Sequence, residues 1–200
     1  MSDHISTTRR TYDRIAAEFL EKTRDRSVIA RQFDAFVSLL PAAALVLDVG
    51  AGPGFDSAEL RKRGVRAVSV DLSLGMLQVG VPEFPGPRVQ ADMRQLPFAS
   101  ASVSGVWASA SLLHLKPQEA TAALREARRV LRNDGALHLS VKLGSGGEWE
   151  VARYGHARWF QYWSAATLDT ALQEVGFQIV ASSQNSTPQA TWLVRHARAV

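Results

Sequence analysis

From residue 44 onward, short apolar runs alternate with longer stretches in which apolar residues recur at helical spacing. A run that is apolar at successive positions suits a strand covered on both faces, and the amphipathic stretches suit the helices that cover it. The pattern predicts strands over 44–50, 66–71, 87–92, 103–109, 135–143, 177–183 and 190–197, with helices at about 55–63, 73–80, 117–132 and 164–175. Such alternation builds an α/β domain with a mainly parallel sheet and helices on both faces. The third helix is the clearest: Ala120, Ala123, Leu124, Ala127 and Leu131 share a face, and Asn133-Asp134-Gly135 ends it. Ser164 is placed to cap the fourth. The last two strands are joined only by QNSTPQ, too short for a crossover helix, so they pair antiparallel and the seven-stranded sheet is mixed at that edge. Residues 5–20 and 26–40 read as two helices, with Ile15 and Phe19, then Phe33, Phe36, Val37 and Leu40, as apolar stripes. They are expected to form a helical cap (1–43) on the core (44–200) within one domain. PEFPGP at 82–87 is a rigid turn, and GSGG at 144–147 a flexible one.

Composition narrows the chemistry. Two hundred residues, 46% of them hydrophobic, suffice for one domain with a sizeable core. The absence of cysteine excludes disulfides, thiolate-bound metals and thiol nucleophiles. The first twenty residues are charged throughout, and no stretch of eighteen is wholly apolar, so neither secretion nor a membrane span is implied and a cytoplasmic location is expected. A net charge of +4, from 23 basic and 19 acidic residues, allows nucleic acid as a partner without indicating it. The histidines are scattered, so no metal site is expected; His138 reads as core, and His4, His156 and His196 as peripheral.

The most informative segment is Val46-Leu47-Asp48-Val49-Gly50-Ala51-Gly52-Pro53-Gly54, a strand that runs into a glycine loop and then a helix. Glycines let the backbone turn sharply and approach a ligand, and the helix start offers free N–H donors. A bare tight turn is the alternative. The second strand ends in Asp71, where a carboxylate beside the loop can accept from both hydroxyls of a ribose; Asp71 could instead cap the next helix, a role for which Ser73 competes. The third ends in Ala91-Asp92-Met93, a second carboxylate at the same edge that could accept from an adenine amino group, with Met93 and Met76 against the ring.

These features in this order resemble the class I S-adenosylmethionine-dependent methyltransferases, of the small single-domain, type 11-like branch. ADMRQLPFASASVSGVWASASLLHL (91–115) and LREARRVLRNDGALHLSV (124–141) are similar to the family's segments around its fourth and fifth strands. The resemblance implies a Rossmann-like sheet with its last strand antiparallel, and S-adenosylmethionine as cofactor. It places Asp48, Gly50, Ala51, Gly52 and Gly54 along the methionine part and Asp71, followed by Leu72, at the ribose. Ala91, Asp92, Met93 and Met76 fall at the adenine, and Ala108 beside the methionine. Tyr12-Asp13-Arg14-Ile15-Ala16 is similar to a Tyr-Asp-x-x-Ala segment that closes over the cofactor, which puts Tyr12 at its amino acid end. An NAD(P)-dependent oxidoreductase is the rival: it shares the strand, loop and ribose carboxylate, but Gly52 and Gly54 are too close for its G-x-G-x-x-G, and Asp48 and Asp56 set charge beneath a pyrophosphate.

The expected reaction moves a methyl group to an O, N or C nucleophile of a small molecule. His114 is the candidate base, with donation to a backbone carbonyl as its structural alternative. Trp149, Phe160 and Tyr162, with Trp159 and Trp163, could line an acceptor pocket or simply pack the next helix. A transfer RNA acceptor is the second reading, motivated by the positive charge and by Arg9, Arg10, Arg24 and Arg26. Neither a membrane nor a metal is expected as a partner, and the chain is expected as a monomer or homodimer.

Overall fold

The computed structural model describes residues 3–200. In chain order the elements are α1 (Asp3–Lys22), α2 (Ala30–Val37), β1 (Leu45–Val49), α3 (Phe55–Lys62), β2 (Arg66–Asp71), α4 (Leu74–Val79), β3 (Arg88–Gln90) and β4 (Val103–Ser109). They continue with α5 (Pro117–Val130), β5 (Leu131–Lys142), β6 (Gly147–Glu150), β7 (Arg158–Gln161), α6 (Ala165–Glu174), β8 (Phe177–Ser186) and β9 (Thr191–Ala199). Seven strands form one sheet in the order β3-β2-β1-β4-β5-β9-β8. β1 to β5 run parallel, and β9 lies antiparallel between β5 and β8. The chain leaves β1 for β2 on one side and reaches β4 on the other, so a crevice opens at the carboxyl ends of these strands, where such sheets bind ligands.

Helix ends follow local chemistry. Pro117 occupies the first turn of α5, where its missing N–H costs nothing, and Glu119 accepts from the Lys116 amide at 3.0 Å. Ser164 caps α6 by accepting from the Thr167 amide at 3.1 Å.

Two apolar layers sandwich the sheet. On one side Phe33 and Phe36 of α2 and Leu60 of α3 pack on Val46, Ala67 and Trp107. Trp107 is stacked between Phe33 (4.5 Å, 9°) and His138 (3.6 Å, 13°). On the other side, α5 and α6 bury Leu124, Ala127, Leu168 and Leu172 against Leu47, Val106 and Leu139. Each such Leu or Phe contributes about 1.5–3 kcal/mol of burial.

The structure departs from the sequence expectations in five places. The helix expected over 117–132 ends at Val130, and Leu131 through Gly135, expected as its last residues and its terminating turn, already belong to β5. The helix expected over 26–40 begins with a single tight turn at Ser27–Ile29 and is regular only over α2; Arg26 is drawn away into a two-pronged pair with Asp56, at 2.7 Å for each contact. The two N-terminal helices do not act together, because α2 lies on a sheet face while α1 covers the crevice. The aromatic segment after β5 is a separate hairpin, β6–β7, in which Trp149 sits directly opposite Trp159 and the rings meet edge-on at 5.7 Å. Finally, His4 and His196 are buried rather than peripheral, His196 within 3.0 Å of His138. Among the described residues no helix is long and apolar enough to cross a membrane, and no group of three or more His, Asp or Glu could hold a metal ion.

Candidate active site

β1 delivers the chain into the glycine loop at the mouth of the crevice. Gly50 adopts φ +78, and its N–H donates to the Val70 carbonyl at 2.8 Å, which ties the loop to β2. A Cβ on Gly50 would lie 2.2 Å from the Ser111 Cβ, so glycine is required for space as well as for conformation. At the end of β2, Asp71 accepts from the Gly52 amide and from the Ser73 amide, both at 2.8 Å. Ser73, not Asp71, caps α4 by accepting from the Met76 amide at 3.1 Å. Asp71 is therefore held at the loop with lone pairs to spare. Its burial pushes its pKa up to about 6, against the pull of the two amides. Asp92, just past β3, is forked by Arg94, at 2.6 Å for the shortest contact; burial opposes this, yet the guanidinium holds it below the usual carboxylate range.

α1 roofs the crevice. Asp13 accepts from the Ser73 hydroxyl (2.7 Å) and the Gly75 amide (3.0 Å), and a Cβ on Gly75 would lie only 2.9 Å from the Asp13 Cα. On its other flank the Thr11 hydroxyl donates to the Ala157 carbonyl (2.7 Å), while Thr8 accepts from the Trp159 amide (3.0 Å). Helix α1 is thus clamped between α4 and the β6–β7 hairpin. Tyr12 then meets His114, with Tyr12 Oη 2.9 Å from Nε2 and Nδ1 2.7 Å from the Trp159 carbonyl. Burial, then Arg158 and Lys142, push the His114 pKa down to about 4. Arg158 is itself buried, pairs with Glu150 and reaches Tyr12 Oη at 3.4 Å.

The crevice is open at its mouth and is lined by the glycine loop, the ends of the strands and α1. Of the residues singled out from sequence, Tyr12, Gly50, Ala51, Gly52, Asp71, Leu72, Met76, Ala91, Asp92, Met93 and His114 line it. Asp48, Gly54, Ala108, Trp149, Phe160 and Tyr162 are not among the lining residues. Asp48 lies beneath the loop, accepting from Ser57 at 2.6 Å, and burial together with the charge of Asp56 raises its pKa to about 8. Ala108 is core. Phe160 is buried edge-on to His114 at 4.9 Å under the Lys142 ammonium, Tyr162 donates to Glu148 at 2.5 Å, and Trp149 is exposed. The aromatic segment therefore packs the roof instead of walling the cleft.

Sequence reasoning missed Phe19, Arg26 and Ser111 as lining residues. The polar ASAS run that closes the fourth strand was the available signal for Ser111. Asp56, taken from sequence as an acid that would repel a pyrophosphate, is neutralised by Arg26 and also accepts from the Trp107 indole at 2.8 Å. Paired with Arg26, Asp56 does not by itself repel a pyrophosphate.

Sheet order and glycine loop define the fold: the Rossmann-like arrangement of which S-adenosylmethionine-dependent methyltransferases are structural neighbours. Residues 47–139, somewhat under half of the chain, match the methyltransferase domain family, which supports a resemblance to the class I S-adenosylmethionine-dependent methyltransferases, type 11-like. The chain is 31% identical over 182 residues to the biotin biosynthesis bifunctional protein BioHC of Cellvibrio japonicus, covering 86% of this chain and 34% of that protein. It is 34% identical over 147 residues to the malonyl-[acyl-carrier protein] O-methyltransferase of Laribacter hongkongensis, covering 66% and 49% respectively. The chain thus spans a third to a half of these curated relatives. Its fold is similar to that of the 1,6-didemethyltoxoflavin-N1-methyltransferase of Burkholderia thailandensis, solved with 1,6-didemethyltoxoflavin and S-adenosylhomocysteine, at TM-score 0.81 and 22% identity over 99% of this chain and 89% of that one.

Proposed function

We propose that the protein is an enzyme that binds S-adenosylmethionine in the roofed crevice and transfers its methyl group to an O, N or C nucleophile of a small molecule. The observation that carries this is Asp71, a buried carboxylate fixed against the glycine loop by the Gly52 and Ser73 amides. It is suited to a pair of ribose hydroxyls. Asp92, Met93 and Leu72 stand next to it for the adenine, and Gly50 to Gly52 for the methionine part. The bound cofactor supplies an activated methyl on a sulfonium, so the protein's work is to hold the acceptor in line and keep water out. Helix α1 and the hairpin provide that cover. Two of the named relatives are a malonyl-[acyl-carrier protein] O-methyltransferase and a 1,6-didemethyltoxoflavin-N1-methyltransferase, which favours a small acceptor group.

Of the arginines that motivated the transfer RNA reading, Arg10 is exposed and bonds only to the Thr7 hydroxyl, while the other three are ion-paired. Arg9 pairs with Asp13, Arg24 with Glu83 and Arg26 with Asp56. Calorimetry with S-adenosylmethionine and with NAD tests the proposal: micromolar binding of the former is expected, and binding of NAD alone would reject it.

A further inference from the structure

The first turn of α1 is part of the roof: Ile5 lines the crevice, as do Asp92 and its neighbour Met93. His4, beside Ile5, is only 5% exposed, with its ring 5.6 Å from that of Trp159. Its Nε2 lies 2.9 Å from Oε2 of Glu119. Glu119 belongs to the first turn of α5, where the same oxygen accepts from the Lys116 amide at 3.0 Å. Its other oxygen, Oε1, faces Arg94 at 3.6 Å. Arg94 in turn forks Asp92, through Nε to Oδ1 at 3.0 Å and through Nη2 to Oδ2 at 2.6 Å. His4, Glu119, Arg94 and Asp92 thus form an unbroken line from the roof to a carboxylate of the crevice.

Arg94 is shared unevenly along this line. Its Nε and Nη2 are committed to Asp92, while Nη1 stands beyond hydrogen-bond length from Glu119. A ligand amino group that donates to Asp92 occupies a lone pair and offsets part of that negative charge. The guanidinium is then released to close on Glu119, a charge-assisted contact. Held at Oε1, the carboxylate keeps its Oε2 on His4.

We propose that Glu119 latches the first turn of α1 through His4, and that Arg94 tightens this latch when a ligand amino group occupies Asp92. His4, Glu119 and Arg94 are positioning residues, since none of them is among the residues lining the crevice. The proposal rests on the S-adenosylmethionine reading above, which sets an adenine amino group at Asp92, and it gives the nucleoside end control over the roof. The coupling is reciprocal: the factor by which the ligand favours the closed roof is the factor that the latch returns as affinity.

Hydrogen exchange on the whole chain tests this with two ligands: S-adenosylhomocysteine, and S-inosylhomocysteine, in which oxygen replaces the adenine amino group. The amides of residues 7–11 report, because in a helix they close hydrogen bonds onto the first turn. At saturation, S-adenosylhomocysteine is expected to slow their exchange by about tenfold, the range of a hydrogen bond to a charged group, and S-inosylhomocysteine by about twofold or less. Glu119→Gln and, independently, His4→Ala should bring the first effect down to the second while the amides of β1 and β4 keep their protection. His4→Gln, whose amide can still donate to Glu119, should restore it. In calorimetry, Glu119→Gln should weaken S-adenosylhomocysteine about fivefold and S-inosylhomocysteine less than about twofold, whereas a purely structural role would weaken both alike. Equal protection of the wild type by the two ligands overturns the proposal, as does protection that persists in both Glu119→Gln and His4→Ala, or an equal loss of affinity for the two ligands. Those outcomes leave the methyltransferase reading standing. Failure of both ligands to bind removes that reading and the latch with it.

Discussion

The two sides of the crevice are built by different means. The floor, from Gly50 to Asp92, is drawn from three successive strand ends, and its contacts are short in sequence: Gly52 to Asp71, Asp71 to Ser73, Asp92 to Arg94. The roof is assembled from opposite ends of the chain, through Thr8 with Trp159, Thr11 with Ala157 and Tyr12 with His114. A floor fixed by backbone hydrogen bonds of a packed sheet is preformed. A roof held by a handful of side-chain contacts on one helix is the part able to part and readmit a ligand.

The sharpest way to break the floor is Gly50→Ala. The added Cβ collides with Ser111 and the residue must keep φ +78; cofactor affinity should fall by about a hundredfold or more, in the range of a strained, overpacked loop, as read by calorimetry. Next in size is Arg158→Ala in the roof, which leaves Glu150 without its buried partner. A loss of about 2–3 kcal/mol in denaturant unfolding is expected, at the low end for a buried pair because Glu150 is partly exposed. Equal loss of roof and floor protection in hydrogen exchange would contradict the division drawn here.

Asp71→Ala should weaken cofactor binding by at least about tenfold, since ribose hydroxyls would lose their acceptor. In the wild type the same group sets a pH dependence. Ribose donors favour the ionised form, so affinity should be level above about pH 6 and fall below it, a dependence that Asp71→Asn abolishes. The sign for folding is opposite: a pKa raised from 3.8 to about 6 means the folded protein binds this proton more readily than the unfolded chain, so the contribution of Asp71 to stability declines as pH rises through that window. Smallest of all, Trp149→Ala on the exposed side of the hairpin should cost less than about 1 kcal/mol and leave cofactor affinity unchanged. A large affinity loss there would return this tryptophan to the acceptor site.

The floor was readable because its determinants are local. Glycines at a strand-to-helix turn and carboxylates at strand ends occupy the crevice through the parallel-sheet geometry alone, and Asp71, Asp92 and Met93 all line it. Asp48 shows the limit of that logic. It sits on the same strand, but its side chain points beneath the loop to Ser57, and alternation along a strand flips faces with each residue. The aromatic segment shows a second limit. Trp149, Phe160 and Tyr162 are dense in sequence, yet whether they face a ligand depends on the pairing of β6 with β7 and on where α1 lies.

By itself the sequence determined the chain order of the seven main-sheet strands and of the helices between them, the antiparallel final pairing, the glycine loop and the carboxylates beside it, because each follows from hydrophobic period and backbone chemistry over a few residues. Only the tertiary structure decided that α1 roofs the crevice while α2 packs on the sheet, that Arg26 neutralises Asp56, and that His114 sits between the Trp159 carbonyl and the Tyr12 hydroxyl. Those outcomes rest on contacts between residues distant in the chain, where each side chain satisfies its hydrogen bonds with whatever the packing brings within reach.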